Sequence, residues 1–204
     1  STDESAIFKR TNWCYYREDP KELAKEMDSV IQSWDMKFKD AKTSSKVAGH
    51  VWGMKGANKY LLARTCEHLG FTASLRAVVK FSDDWPMAVA KLIEDKANGP
   101  AIIQVLKSEI SGLIEWPPQG RKMGSKVARA SACQPEHEAH NIWLPDPQVY
   151  PWVEEFVEYM AAFPNAEYND DGDAMSQALE YLRGKVSSGS MPFGIGGENL
   201  WNIR

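Results

Sequence analysis

The chain has 204 residues, 43% of them hydrophobic and 25% charged, with a formal net charge of −4 at pH 7. That is enough apolar material for one substantial core and fits one domain. The acidic balance argues against a uniformly basic nucleic-acid binder, though not against an acidic cleft with basic patches beside it. No apolar run approaches the roughly 18–20 residues needed to cross a bilayer, and the first residues carry no signal-peptide pattern. Cys14, Cys66 and Cys133 are scattered, with no CxxC pair. They indicate neither a disulfide framework nor a cysteine zinc site, and they suit a reducing, cytoplasmic setting.

Residues 1–27 are mixed and polar with an aromatic cluster at Trp13, Tyr15 and Tyr16, and they read as a lead-in or linker belonging to a longer protein. Residues 30–39 form an apolar, β-prone stretch that delivers one acid, Asp35, near its middle or far end. Residues 47–54 and 59–67 read as two further strands, joined by the turn chemistry of Lys55-Gly56-Ala57-Asn58. Three strands with short connections make an antiparallel meander. The period then changes: residues 72–81 place Leu75, Val78 and Val79 on one helical face, with Thr72 as N-cap. Leu92-Ile93 leads into Glu94 as a short strand, and Asn98-Gly99-Pro100 opens a helix. Leu113 to Trp116 is a fifth strand, stopped by Pro117-Pro118. Residues 120–132 begin as a basic loop and continue as a helix, and residues 141–144 are extended. Helices follow over 152–163 and 170–183, and a Gly/Ser-rich tail over 187–204. The order predicts a mixed α/β sheet with helices on its faces, the main domain spanning residues 28–186.

Three acidic spots stand out: Asp35 on the first strand, Glu94 closing the fourth, and Asp170, Asp171 and Asp173 opening the last helix. Singly, each has an ordinary explanation, such as solvation or a favourable helix-dipole contact. Together they suggest a hard-cation site. Mg²⁺ and Mn²⁺ take oxygen ligands and keep waters, so a few carboxylates from separate elements suffice. A buried strand carboxylate also needs a cationic partner.

Four stretches carry a resemblance: IQSWDMKFK around Asp35, KLIEDKANGPAIIQVL around Glu94, NIWLPDP with the following WVEEF, and FPNAEYNDDGDAMSQAL. In order and spacing the chain resembles the nuclease domain of phage terminase large subunits, which have a ribonuclease H-like fold. The match covers most of the chain from about Phe8 to Leu182. The resemblance implies a metal-dependent endonuclease that cuts concatemeric double-stranded DNA during genome packaging with two Mg²⁺ or Mn²⁺ ions. Asp35 would bridge the ions, with Glu94, Asp170 and Asp173 completing the ligand set. It further implies a packaging ATPase domain elsewhere in the full-length protein, preceding the lead-in segment. A small terminase subunit and the capsid portal would be partners, and the host cytoplasm the location. This chain has no GxxxxGK[ST] phosphate loop. It departs from the family at Tyr168-Asn169-Asp170, where His-Asp-Asp is common. Helical spacing puts Asp170 and Asp173 on one face and turns Asp171 away, so Asp171→Asn is expected to cost little. An irregular first turn would instead make Asp171 the ligand. At the strand end, Asp95 is the alternative to Glu94.

Arg121, Lys122, Lys126 and Arg129 follow a strand end and are candidates for DNA-backbone contact, as are Lys37, Lys39 and Lys42. Glu136-His137-Glu138-Ala139-His140 lacks the HExxH spacing and, next to Pro135, reads as an exposed loop. The competing functions are a junction-resolvase-like nuclease and a non-catalytic DNA-binding or docking module of the same fold.

Overall fold

A computed structural model describes residues 4–37, 46–94, 96 and 98–189, the side chains of 186–189 excepted. Lys39, Lys42, Asp95 and residues 190–204 of the expected tail lie outside the described residues.

The strands are β1 (Cys14–Tyr16), β2 (Ser29–Asp35), β3 (Val47–Lys55), β4 (Asn58–Glu67), β5 (Ala90–Glu94), β6 (Leu113–Trp116) and β7 (Ile142–Pro145). They make one seven-stranded sheet in the order β1-β7-β4-β3-β2-β5-β6. The meander is there: β2 pairs antiparallel with β3, and β3 with β4. Parallel strands extend it on both sides, β5 and β6 beyond β2, and β7 and β1 beyond β4.

The helices are α1 (Pro20–Ala24), α2 (Phe71–Asp84), α3 (Gly99–Leu106), α4 (Lys126–Ser131), α5 (Gln134–Glu138), α6 (Trp152–Ala162) and α7 (Asp170–Gly189). They cover both faces. On one, Val153, Phe156 and Met160 of α6 and Met175, Ala178, Leu179 and Leu182 of α7 pack on Ile31, Trp52, Leu61 and Leu92. On the other, Val78 of α2 and Ile102 and Leu106 of α3 pack on Trp34 and Ile93. Each strand splits its residues by the period-two alternation of the pleat. In β2, Ile31, Ser33 and Asp35 therefore face α7, and Trp34 faces α2.

The lead-in segment contributes to the fold. Phe8 and Trp13 are buried in the main core, and Cys14–Tyr16 is the edge strand β1. Residues 136–138 close helix α5 instead of lying in a loop, while Glu138, Ala139 and His140 are exposed as expected. Pro135 sits in the first turn of α5, where its missing N–H costs nothing, and His137 is fully buried beside Trp13, with ring centroids 4.3 Å apart. Helix α2 begins at Phe71, after Gly70 in the N-cap position, one residue before the expected start.

Candidate metal centre and active site

Parallel pairing sets two carboxylates side by side. Trp34 of β2 is in register with Ile93 of β5, and the next residue of each strand is Asp35 and Glu94. Both end their strands at the same edge of the sheet, and both are almost fully buried. Gly99 at the start of α3 holds the β5 end close: a Cβ there would lie 1.9 Å from the Glu94 carbonyl oxygen.

Helix α7 brings the third acid. Its first turns cross the end of β2 through buried polar bonds. The Ser33 hydroxyl donates to the Ala174 carbonyl at 2.7 Å, and the Gln177 amide donates to Ser33 Oγ at 3.0 Å and to the Trp34 carbonyl at 3.3 Å. Ala174, Ala178 and Leu179 are fully buried beneath it. Gly172 lets the first turn press on Phe163, whose ring would stand 2.4 Å from a Cβ. Asp173 is thereby aimed at the strand ends.

One ammonium ties the three acids together. Lys37 Nζ lies 2.8 Å from Asp35 Oδ2, 2.9 Å from Asp173 Oδ2 and 3.7 Å from Glu94 Oε2. Arg129 flanks them, 3.1 Å from Asp173 Oδ1 and 3.9 Å from Glu94 Oε1, and Lys126 Nζ is 2.5 Å from Asp173 Oδ2. These contacts leave oxygens over: Asp35 Oδ1 and both Glu94 carboxylate oxygens are buried with no hydrogen-bond partner. Burial pushes the Asp35 carboxyl well above the ordinary carboxylate range, with Lys37 opposing and the charges of Glu94 and Asp173 adding to the rise. Burial would raise Asp173 too, but Lys37 and Lys126 hold it below its usual value. Burial works against the charge on Lys37, and Asp35, Asp173 and Glu94 outweigh it, so the lysine stays protonated.

Asp170 stands at the margin. Its Oδ2 accepts the Lys46 backbone N–H at 3.3 Å, and burial raises its pKa. Asp171 points to the other side of the helix. Its Oδ1 accepts from Arg64 Nε at 3.0 Å and from His50 Nε2 at 2.8 Å, and its Oδ2 from Arg64 Nη2 at 2.7 Å. His50 accepts in turn from the Trp52 indole at 3.1 Å, and burial keeps its imidazole neutral. Burial alone would raise Asp171, yet His50 and Arg64 carry it far below the carboxylate range. The bonds of Asp171 go beyond the favourable helix-dipole contact expected of it, and Asp171→Asn would remove a buried ion pair. Asp171 is fully buried and is the anion of a bidentate ion pair that anchors α7 to β3 and β4.

The four basic candidates divide. Lys126 and Arg129 reach the acids, Arg129 with its side chain only 10% exposed and with Nε and Nη1 making no hydrogen bond. Arg121 and Lys122 face solvent, with Arg121 paired to Glu180 and lying over the Trp116 ring. Sequence reasoning gave no role to Ser33, His50, Arg64 or Gln177, and took Lys37 only as a phosphate contact. A signal existed for some of them: Ser33, His50 and Arg64 are polar residues inside otherwise apolar strands.

Hard oxygen donors with unsatisfied lone pairs fit Mg²⁺ or Mn²⁺. As the side chains lie, no group of three or more His, Cys, Asp or Glu among the described residues is arranged to hold a metal ion. Lys37 takes the central position among the three acids.

Two neighbouring parallel strands ending in carboxylates, under the acidic start of a helix, within a meander-based mixed sheet, define a ribonuclease H-like nuclease fold. The comparisons with known proteins narrow this to the fold of the nuclease domains of viral large terminases. No protein-family model matches the chain, and no curated protein matches its sequence. Solved structures do match. The g2p large-terminase nuclease domain of bacteriophage SPP1, solved with bound Mn, is similar at a TM-score of 0.57 and 16% identity, over 84% of this chain and 97% of that one. The human cytomegalovirus terminase nuclease domain, Mn-soaked and inhibitor-bound, is similar at a TM-score of 0.56 and 10% identity, over 89% and 94%. The large terminase of a thermophilic bacteriophage is similar at a TM-score of 0.62 and 10% identity, over 87% of this chain, which spans 44% of that protein. At these identities the likeness establishes the fold.

Proposed function

We propose that this chain is the nuclease domain of a viral DNA-packaging terminase and hydrolyses phosphodiester bonds in double-stranded DNA with two Mg²⁺ or Mn²⁺ ions. The observation that carries the reading is the meeting of Asp35, Glu94 and Asp173, from three separate elements, around one cation position with buried oxygens left over. Asp35, Glu94 and Asp173 would hold the ions, with Asp170 at the margin. Divalent ions held there would supply Lewis-acid activation of a water and charge stabilisation at the scissile phosphate. The rest falls to the chain's own side chains. Asp171, His50 and Arg64 fix where α7 starts and so where Asp173 points. Arg121 and Lys122, both exposed, would hold the DNA backbone from the solvent side. Arg129, whose buried Nε and Nη1 make no hydrogen bond, would orient Glu94 and Asp173 and meet a phosphate oxygen. The wider setting belongs to the same proposal: concatemeric viral DNA as substrate, an ATPase domain elsewhere in the full-length protein, a small subunit and the capsid portal as partners, and the host cytoplasm as the place.

One observation favours a second reading, a non-catalytic DNA-binding or docking module of the same fold: the acids are held by lysine and arginine and are not arranged for a metal. Supercoiled plasmid separates the two. Nicking and linearisation with Mn²⁺ or Mg²⁺, without ATP and abolished by EDTA, supports the nuclease. DNA binding with no cleaved product under any divalent metal supports the module. Preference for a four-way junction over linear duplex would move the assignment to a resolvase.

A further inference from the structure

We propose that Lys37 is a built-in counter-ion that competes with divalent metal for the acidic centre, so that metal loading expels its side chain; this rests on the metal-dependent reading above. Lys37 lies two residues beyond Asp35, just past the end of β2, and its side chain folds back among the acids. The oxygens its ammonium touches belong to the carboxylates a metal would use. The ammonium sits at 2.8 and 2.9 Å on Asp35 Oδ2 and Asp173 Oδ2, so a metal ligated by those oxygens takes its place, and charge repulsion adds to the exclusion. An ammonium has only three donors, and here Asp35 Oδ1 and both Glu94 oxygens go without a hydrogen bond. A hard divalent ion, with about six oxygen ligands, would satisfy them. The lysine also has a way out, since its side chain is 25% exposed while that of Asp35 is 1% exposed.

The other two cations at the centre are placed differently. Arg129 is fixed at the flank and nearly buried, touching Glu94 and Asp173 but making no ion pair with Asp35. Lys126 is 42% exposed and pairs with Asp173. Among the described residues, only Lys37 bridges all three acids. Apparent metal affinity then falls by the fraction of time the centre is free of lysine. A lysine that occupies it ten times as often as it leaves weakens binding about tenfold. The device would keep the centre closed at low metal concentration.

The test is Mn²⁺ titration by calorimetry, without DNA, of the wild-type chain, Lys37→Met and Lys126→Met. The expected result is about tenfold tighter binding in Lys37→Met, by the same fraction argument. Lys126→Met, which removes an equal charge from the exposed side, should tighten it much less. Equal changes in both variants, or none in Lys37→Met, would overturn the proposal. A second measurement needs no variant. Lysine acetylation read by mass spectrometry should show Lys37 labelling faster, relative to exposed Lys25, when Mn²⁺ is added. Unchanged or slower labelling in protein that binds Mn²⁺ overturns the competition alone. If neither wild type nor Lys37→Met binds Mn²⁺ or Mg²⁺, the metal-centre reading falls and the competition falls with it.

Discussion

Within the first turn of α7, Asp173 leans toward Lys37 and Lys126, while Asp171, two residues earlier, accepts from Arg64 and His50 on the far side. The divergence was legible in the sequence, because an α-helix turns about 100° per residue. The partners of Asp171 were not. Arg64 and His50 lie on different strands, and nothing local in either strand says which helix will cover it. The consequence is an energetic prediction. Asp171→Asn leaves the Arg64 guanidinium buried with one carboxylate fewer, and breaking such a pair costs about 3–5 kcal/mol. Glu155 still reaches Arg64 at 2.9 Å, which favours the lower end. The thermal midpoint should fall on the order of 10 °C, and the Mn²⁺ affinity of the folded protein should weaken, since Asp171 fixes where Asp173 points. An unchanged midpoint would mean that the Arg64 pair adds nothing to stability.

The site is assembled by elements that the sequence places far apart. The periodicity of residues 30–67 gave the meander, and the change of period after it gave the alternating helices and strands. The pairing of β2 with β5 is a long-range event, and it sets Asp35 beside Glu94. β1 escaped the reading because three residues, Cys14–Tyr16, are too few to show alternation. α5 escaped it because Pro135 was weighed as a breaker, whereas at a helix start it fits. The packing of α3 against β5 yields its own prediction. In Gly99→Ala the new methyl would overlap the Glu94 carbonyl, so the helix start or the strand end must move. Overpacking of this kind costs about 1–3 kcal/mol. The denaturant midpoint should drop, and metal-dependent cleavage should drop further than the loss of folded protein explains. Cleavage that merely tracks the folded fraction would show that Glu94 tolerates the shift.

At the scale of the molecule, the buried aromatic cluster around Phe8, Trp13 and His137 ties the first residues to α5 and α6. His137 Nε2 donates to the Lys9 carbonyl at 2.9 Å, which leaves Nδ1 buried without a partner. Burial, aided by the charge of His140 and opposed by the Lys9 bond, pulls the imidazole down to about 4. Between the ordinary histidine value and that one, the unfolded chain takes up a proton that the folded chain refuses. The stabilisation is complete above about pH 6.5 and is lost as pH falls toward 4, by at most about 3 kcal/mol. Melting curves of wild type and His137→Gln from pH 7 to 4 isolate it, because the acidic centre is common to both. The wild type should lose stability more steeply, and parallel curves would contradict the assignment.

Under the proposed function, the acids gathered around Asp35 hold the ions that cut DNA. Asp35→Asn keeps the shape of the side chain and removes its charge. The decisive measurement is the rate of plasmid cleavage by this variant beside the wild type at matched Mn²⁺, with both chains shown to be folded by their melting curves. The expected result is metal-dependent, EDTA-sensitive cleavage by the wild type, reduced by about 10² or more in Asp35→Asn, the scale on which loss of a transition-state charge stabiliser acts. Near-equal rates in the two proteins would contradict the claim.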